Sequence, residues 1–207
     1  MDPTYLHQPL STQRCLRLLR LRPAQGFATP LRCTLEEIKL DAKSSFEALS
    51  YVWGDPEPKQ LITIETRAGD KILYVTPNCV AALRRLRYRF QWRALWVDAI
   101  CIDQTSLQDK AIQVALMSEI YKTASEVLIW LGEPERGHDA AKRVFDLAKR
   151  AGNLFSIGLL RTDSERPANA VVKRCEKSLT SNVRELHRTV FWPINPHNSS
   201  HITNLAV

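Results

Sequence analysis

No phosphate-binding loop of the form G-x-x-x-x-G-K-[ST] occurs in this sequence, and there is no G-x-G-x-x-G. The glycine-built backbone cradle for nucleotide phosphates is therefore not present in either familiar form. G-x-S-x-G is missing as well, which excludes the nucleophile elbow of an α/β-hydrolase. Ser50, within FEALSYVWG, has no evident histidine partner and reads as a polar strand residue. Apolar runs are short, and none approaches the ~20 residues that a membrane-spanning helix requires. The opening MDPTYLHQPL has neither the basic start nor the apolar core of a signal peptide, so an intracellular, cytoplasmic protein is expected.

Metal and disulfide chemistry find little support. The five cysteines, Cys15, Cys33, Cys79, Cys101 and Cys175, are odd in number and never form C-x-x-C, so neither a disulfide framework nor a cysteine-based zinc site is expected. His197 and His201 stand four apart, but in a Ser/Asn/Pro-rich stretch where no helix would bring them together. Cys101 reads as a small buried hydrophobe before it reads as a nucleophile. The net charge of +7 raises the question of nucleic acid. Its two arginine clusters are Arg14, Arg17, Arg20, Arg22 and Arg84, Arg85, Arg87, Arg89, Arg93, and neither carries an RNA-recognition or zinc-finger pattern. Nucleic acid is not the expected partner.

What is present is an ordinary globular composition, 44% hydrophobic and 25% charged over 207 residues, enough for one full-sized domain with appendages. Arg14–Arg22 reads as an edge or half-exposed strand, and Leu31–Ile38 as a second. Phe46–Gly54 is a strand closed by Gly54-Asp55-Pro56. LITIE at 61–65 and KILYV at 71–75 form a hairpin around a five-residue loop. Thr76-Pro77 caps and opens a helix with Val80, Leu83, Leu86 and Phe90 on its buried face. Ser106 caps another helix running to about Ala124, with Asp109 at its third position and a core stripe of Leu107, Ala111, Val114, Met117, Ile120, Tyr121 and Ala124. VLIWL at 127–131 is a strand stopped by Gly132. A third helix spans Asp139 to Ala151, with Val144, Phe145, Leu147 and Ala148 inward.

Past Gly152 the pattern weakens. Asn153–Leu160 is apolar, Arg161–Ala170 reads as a loop, and Val171–Thr189 as a weak basic helix. The last residues carry no periodicity and are expected to be dispensable for folding. Alternating strands and helices imply an α/β fold with a mainly parallel central sheet. Residues 1–45 form an N-terminal β extension, 46–152 the core with its β-hairpin insertion, and 153–207 a poorly ordered end.

The centre of the chain is Leu95–Gln104, LWVDAICIDQ. Seven of its first eight residues are apolar, which reads as a strand buried on both faces. Asp98 interrupts it. A buried carboxylate is costly unless paired, so Asp98 is either satisfied by neighbouring donors or retained for chemistry. Ligands of open α/β sheets bind outside the carboxyl ends of the strands. The three candidate parallel strands end in Trp53-Gly54-Asp55, Asp103-Gln104 and Gly132-Glu133, which would gather an aromatic plate, carboxylates and an amide at one edge. Polar turn residues also end strands in the absence of any site.

Four motifs in order carry a specific resemblance: ALSYVWGD at 48–55, LWVDAICIDQ at 95–104, Gln113-Val114-x-x-Met117-x-x-Ile120-Tyr121-x-x-Ala124, and Val127-x-x-Trp130-Leu131-Gly132. Over about residues 46–150 the chain resembles the fungal heterokaryon incompatibility (HET) domain. The resemblance implies a distantly TIR-like fold and a role in non-self recognition, in which activation triggers death of fused, incompatible cells. It also implies that NAD⁺ or a related nucleotide could be a substrate, since some TIR domains cleave the nicotinamide–ribose bond with a glutamate. On that reading Asp98, Glu133 and Glu47 are the candidate catalytic carboxylates, and Ser50, Trp53, Gly54, Asp55, Asp103, Gln104 and Gly132 line the ligand site. No cofactor and no metal are expected. Protein partners, or self-association through the domain, are the alternative to chemistry, and an inert fragment is the third reading. The chain departs from the family pattern at Asp103, where Asn is common, and at Asp109-Lys110, where Glu-Arg or Glu-Lys is usual. It also lacks the later Arg-x-Trp-x-x-Gln-Glu segment, so an incomplete effector is expected if that segment is needed.

Overall fold

A run of leucines spaced by arginines, Cys15–Leu21, forms the first strand (β1) of the computed structural model, which describes residues 3–41, 43–130, 132–133 and 171–173. It is followed by β2 (Arg32–Lys39), β3 (Glu47–Tyr51), β4 (Gln60–Thr66) and β5 (Gly69–Val75). Helix α1 (Pro77–Leu86), β6 (Arg93–Val97), the single turn α2 (Asp98–Cys101), α3 (Leu107–Thr123), β7 (Glu126–Trp130) and β8 (Val171–Lys173) complete the order. All eight strands belong to one sheet, ordered β5–β4–β2–β1–β6–β3–β7–β8.

The protein is α/β, but the sheet is mixed rather than mainly parallel. Parallel pairing joins β3 to β6, β3 to β7 and β2 to β4, whereas β1–β2, β1–β6, β4–β5 and β7–β8 are antiparallel. The expected trio of neighbouring parallel strands is therefore present as β6–β3–β7, with Ala48 opposite both Trp96 and Val127. Leu16, Leu19, Ala48, Leu49, Leu95, Trp96, Val97 and Leu128 have no exposed surface. Each fully buried large apolar side chain among them stabilises the fold by ~1.5–3 kcal/mol.

β1 is not the edge or half-exposed strand its arginines suggest. It lies between β2 and β6, and even Arg17 is only 5% exposed. Arg17 is tolerated there because both of its terminal nitrogens are bonded. Nη1 donates to the Cys101 carbonyl (3.1 Å) and to Asp109 Oδ2 (3.0 Å), and Nη2 to the Gln8 carbonyl (2.6 Å). The bond to Asp109 fixes how α3 sits on the sheet, together with fully buried Gln113, whose Nε2 donates to the Cys15 carbonyl (2.9 Å). These two polar ties, one helical turn apart, turn the Asp109–Gln113–Ile120 side inward. Leu107 and Val114 of the expected core stripe consequently face solvent, and Ala111 is exposed with them. Ile120 and Tyr121 are buried as expected, with the Tyr121 ring edge-on to Trp96 at 5.6 Å.

Other expectations shift for local reasons. β6 ends at Val97, so residues 98–101 are a helical turn and not strand, and Asp98 opens that turn. Thr76 does cap α1, its hydroxyl accepting from the Cys79 amide, but α1 stops at Leu86 because Arg87 is extended (φ −65°, ψ 125°). Phe90 is thereby left off the helix and 79% exposed. The β4–β5 loop is two residues, not five, since Thr66 pairs directly with Gly69. Val171–Lys173 is strand rather than the start of a basic helix. The helix expected over 139–151, the segments 153–160 and 161–170, and the end of the chain lie outside the described residues.

Candidate functional site

The C-terminal ends of β3, β6 and β7 lie side by side, because parallel pairing sets Tyr51 opposite Trp130 and Leu49 opposite Val97. Asp98 is the first residue beyond β6 and Trp53 the second beyond β3. The Trp53 indole Nε1 donates to Asp98 Oδ2 at 2.9 Å, and the Ala99 amide donates to Oδ1 at 2.7 Å. Around them are Tyr51 and Cys79, both buried, with buried Tyr121 also within the electrostatic reach of the carboxylate.

Burial pushes the Asp98 carboxyl up from 3.8 to about 6, against the lowering pull of the Trp53 and Ala99 bonds. No guanidinium or ammonium is among the groups acting on it. Asp98 nevertheless keeps part of its surface open, and Trp53 beside it is 39% exposed. A carboxyl desolvated by protein, unmatched by a cation and still reachable can exchange a proton near neutrality or meet positive charge on a ligand. The thiols behind it cannot join such chemistry as nucleophiles. Burial pushes Cys79 and Cys101 each up to about 12, and both are fully enclosed.

The rim is held by a residue that sequence reasoning missed. Asn78, in the first turn of α1, donates from Nδ2 to the Val52 carbonyl and accepts the Trp130 Nε1 proton on Oδ1 (2.8 Å). One amide thus clamps the ends of β3 and β7 together. Gly54 turns the chain away just above it, at φ +73°, a left-handed conformation that disfavours any side chain. A Cβ at Gly54 would also stand 3.5 Å from Asn78 Cβ. Gly132 serves the equivalent turn after β7, at φ +96°.

The remaining candidates divide. Gln104 belongs with the site, since its Nε2 donates to the Asp98 carbonyl (3.0 Å) and closes the α2 turn. Ser50 is buried within β3 and interacts with the Tyr121 hydroxyl beneath the cleft. Asp55 accepts from the Glu57 amide (2.9 Å), organising the proline-bearing loop. Asp103 accepts from the Thr105 amide (2.9 Å) and hydroxyl (2.6 Å), and its own amide donates to Asp109 (2.8 Å). Burial works to raise its pKa, but the Thr105 bonds outweigh it and the net shift is downward. Asp103 therefore lines a different hollow of about 360 Å³ between residues 7–13 and the start of α3, shared with His7, Arg17 and Asp109.

Glu133 is bound in two-pronged fashion by Arg85 (3.0 and 2.6 Å). Glu47 sits at the opposite end of β3 from Trp53, where Arg93 holds both its oxygens. The structure thus brings together Trp53, Gly54, Asp98 and Gln104, adds Asn78, Tyr51 and Trp130, and sets Glu47 apart. Among the described residues no group of three His, Cys, Asp or Glu side chains could hold a metal ion. No described helix is long and apolar enough to cross a membrane.

Comparison with known proteins identifies the family of the chain. The family model for heterokaryon incompatibility protein (HET) matches residues 46–190. Heterokaryon incompatibility protein 6, OR allele, of Neurospora crassa is 34% identical over 149 residues, covering 68% of this chain and 22% of the relative. The chain therefore spans about a fifth of that relative's length. No solved structure matches.

Proposed function

Because the chain belongs to the heterokaryon incompatibility (HET) family, we propose that it acts in fungal non-self recognition and programmed cell death signalling, through the cleft at the ends of β3, β6 and β7. The observation that carries this reading is Asp98. Of the three carboxylates singled out in the sequence, Glu47 and Glu133 are each bound by an arginine, and only Asp98 meets the cleft without a cation. Trp53 supplies both its hydrogen-bond donor and the exposed aromatic face beside it. Protein partners or self-association then deliver the signal. In a filamentous fungal host, induction of the parent chain should kill hyphal compartments even without the later Arg-x-Trp-x-x-Gln-Glu segment, and Asp98→Asn, which keeps an acceptor for Trp53, should spare them. Equal killing by both, or viability of the parent equal to an empty-vector control, contradicts the reading.

A second reading, hydrolysis of NAD⁺ or a related nucleotide by a TIR-like site, is favoured by the same carboxylate. An anionic group without a counter-cation, next to an exposed indole, can stabilise positive charge developing on a ribose as nicotinamide leaves. Asp98, rather than Glu47 or Glu133, is then the acting residue. Incubation of the purified chain with NAD⁺, with release of nicotinamide followed by chromatography, tests it. Release that persists in Asp98→Asn, or none from the parent, argues against nucleotide hydrolysis here.

A further inference from the structure

Asp98 opens a turn that has little to hold itself. Helix α2 is four residues long, has no side-chain cap at Val97, and closes on the bond from the Ile102 amide to the Asp98 carbonyl (3.2 Å). An isolated helical turn fixes more dihedrals than its bonds repay, so its geometry has to be set from outside. The ties come from the start of the chain. His7 Nε2 donates to the Ile100 carbonyl (2.8 Å) and Arg17 Nη1 to the Cys101 carbonyl (3.1 Å), across 93 and 84 residues. Because its partner is a carbonyl, His7 carries a proton on Nε2. His7 is itself presented between two anchors. On one side the Tyr5 amide donates to the Ile72 carbonyl (2.8 Å) and the Ile72 amide to that of Pro3 (2.7 Å), pinning residues 3–5 to β5. On the other, Arg17 Nη2 holds the Gln8 carbonyl (2.6 Å), so one guanidinium joins this arm to α2. The Tyr5 ring stands edge-on to the imidazole at 5.2 Å.

We infer, on the reading of Asp98 as the centre of the site, that His7 is a positioning residue: through the Ile100 carbonyl it fixes the turn that holds the Asp98 carboxylate against the Trp53 indole. The functional unit then reaches back beyond the family match, which begins at residue 46, to include the arm 3–8 and β1. The placement of the bond favours this role over a tie that only adds stability. His7 grips backbone in the same turn that begins with Asp98, and so sets the orientation of the turn as a whole. The Ala99 amide, whose aim at Asp98 Oδ1 depends on that orientation, lies between the two. The arm meets the sheet in an isolated bridge, Thr4 to Ile72, rather than as a strand, so the strands do not need it in order to pair. Charge is not the means, since His7 is not among the groups acting on the Asp98 carboxyl.

The test compares the full chain with its His7→Phe and His7→Gln variants by carboxyl-carbon NMR of Asp98, taken well below each melt. Phenylalanine keeps a ring against Tyr5 but removes the donor. Glutamine removes the imidazole, yet its amide can still donate to the Ile100 carbonyl. In His7→Phe the turn frays, and water reaches the carboxyl and takes over from the Trp53 and Ala99 donors. The Asp98 midpoint should then fall from about 6 toward 3.8, by roughly one unit or more. The Trp53 indole proton should exchange faster with solvent. His7→Gln should restore both. A parent near 6 with His7→Phe unmoved overturns the proposal alone, even where the melt of that variant is lowered, since His7 then only stabilises. A shift of equal size in both variants overturns it too, because loss of the imidazole charge would be the cause. A parent midpoint at 3.8 instead removes the reading of Asp98 as the centre of the site, and the positional role with it.

Discussion

β3 begins and ends beside a carboxylate, and the two are treated in opposite ways. At its start, Glu47 is held by both prongs of Arg93, whose Nη1 also donates to the Leu86 carbonyl (2.6 Å), with Tyr88 stacked on the guanidinium. Arg93 is 3% exposed and nothing there is left for a ligand. At its end, Asp98 receives an indole and an amide proton, has no cation, and stays reachable. The first arrangement seals the sheet. The second leaves charge unbalanced where the strands point at solvent. The contrast teaches that the mere presence of a carboxylate near a strand end says little, and that its counter-charges separate structure from site.

The largest effect that would break this comparison falls at the sealed end. Arg93→Met leaves Glu47 as an enclosed anion with no partner and frees the Leu86 carbonyl, so it should cost about 3–5 kcal/mol in a urea titration. A loss below roughly 1 kcal/mol, the range of exposed pairs, would mean that Glu47 is solvated and available after all. Next comes the clamp at the open end. Asn78→Ala removes the acceptor of the Trp130 indole and the donor to the Val52 carbonyl, and should cost ~1–3 kcal/mol by the same titration. No loss would show that the rim does not depend on it.

A smaller effect carries a pH signature. The folded pKa of Asp98, about 6, lies above its ordinary 3.8, so the folded state binds this proton more tightly. Its contribution is therefore favourable at low pH and is lost as pH rises through the window from about 4 to 6. Asp98→Asn should abolish that dependence, leaving the variant more stable than the parent above pH 6 by about 1–2 kcal/mol, with allowance for the carboxyl's partial solvent contact. Parallel melts across this range check the sign. A variant less stable than the parent at neutral pH would place Asp98 among the structural carboxylates. The smallest effect is electrostatic alone. Trp53→Phe deletes one bond to the ionised form and should move the Asp98 pKa further upward, read by carboxyl-carbon NMR.

Much of this was legible because the signals were local. Thr76-Pro77 and Ser106 capped the helices they precede, and Gly54 and Gly132 stopped the strands before them. Periodic apolar runs gave β3, the start of β6, and β7 as neighbours. What could not be read depended on distant polar partners. Arg17 looked like the mark of an edge strand until Asp109, the Cys101 carbonyl and the Gln8 carbonyl were seen to enclose it. The rotation of α3 was misjudged because Leu107 and Val114 weigh more on any hydrophobic scale than Gln113, yet the buried amide of Gln113 and the ion pair of Asp109 set the inward side. At the site, Trp53 and Asp98 were legible as unusual residues near strand ends. Asn78 was not, since an asparagine after a capping Thr-Pro reads as ordinary helix-start chemistry. Nor could sequence tell which carboxylates had arginines, because Arg93 and Arg85 reach Glu47 and Glu133 across 46 and 48 residues of chain.

The open end of the sheet is defined by the state of one group, and a carboxyl-carbon NMR titration of Asp98 in the full chain reads it directly. A desolvated, cation-free carboxyl at the open end of the sheet should titrate near 6. A midpoint at or below its ordinary 3.8 would show a solvated or cation-paired aspartate and would contradict the assignment of Asp98 as the centre of the site.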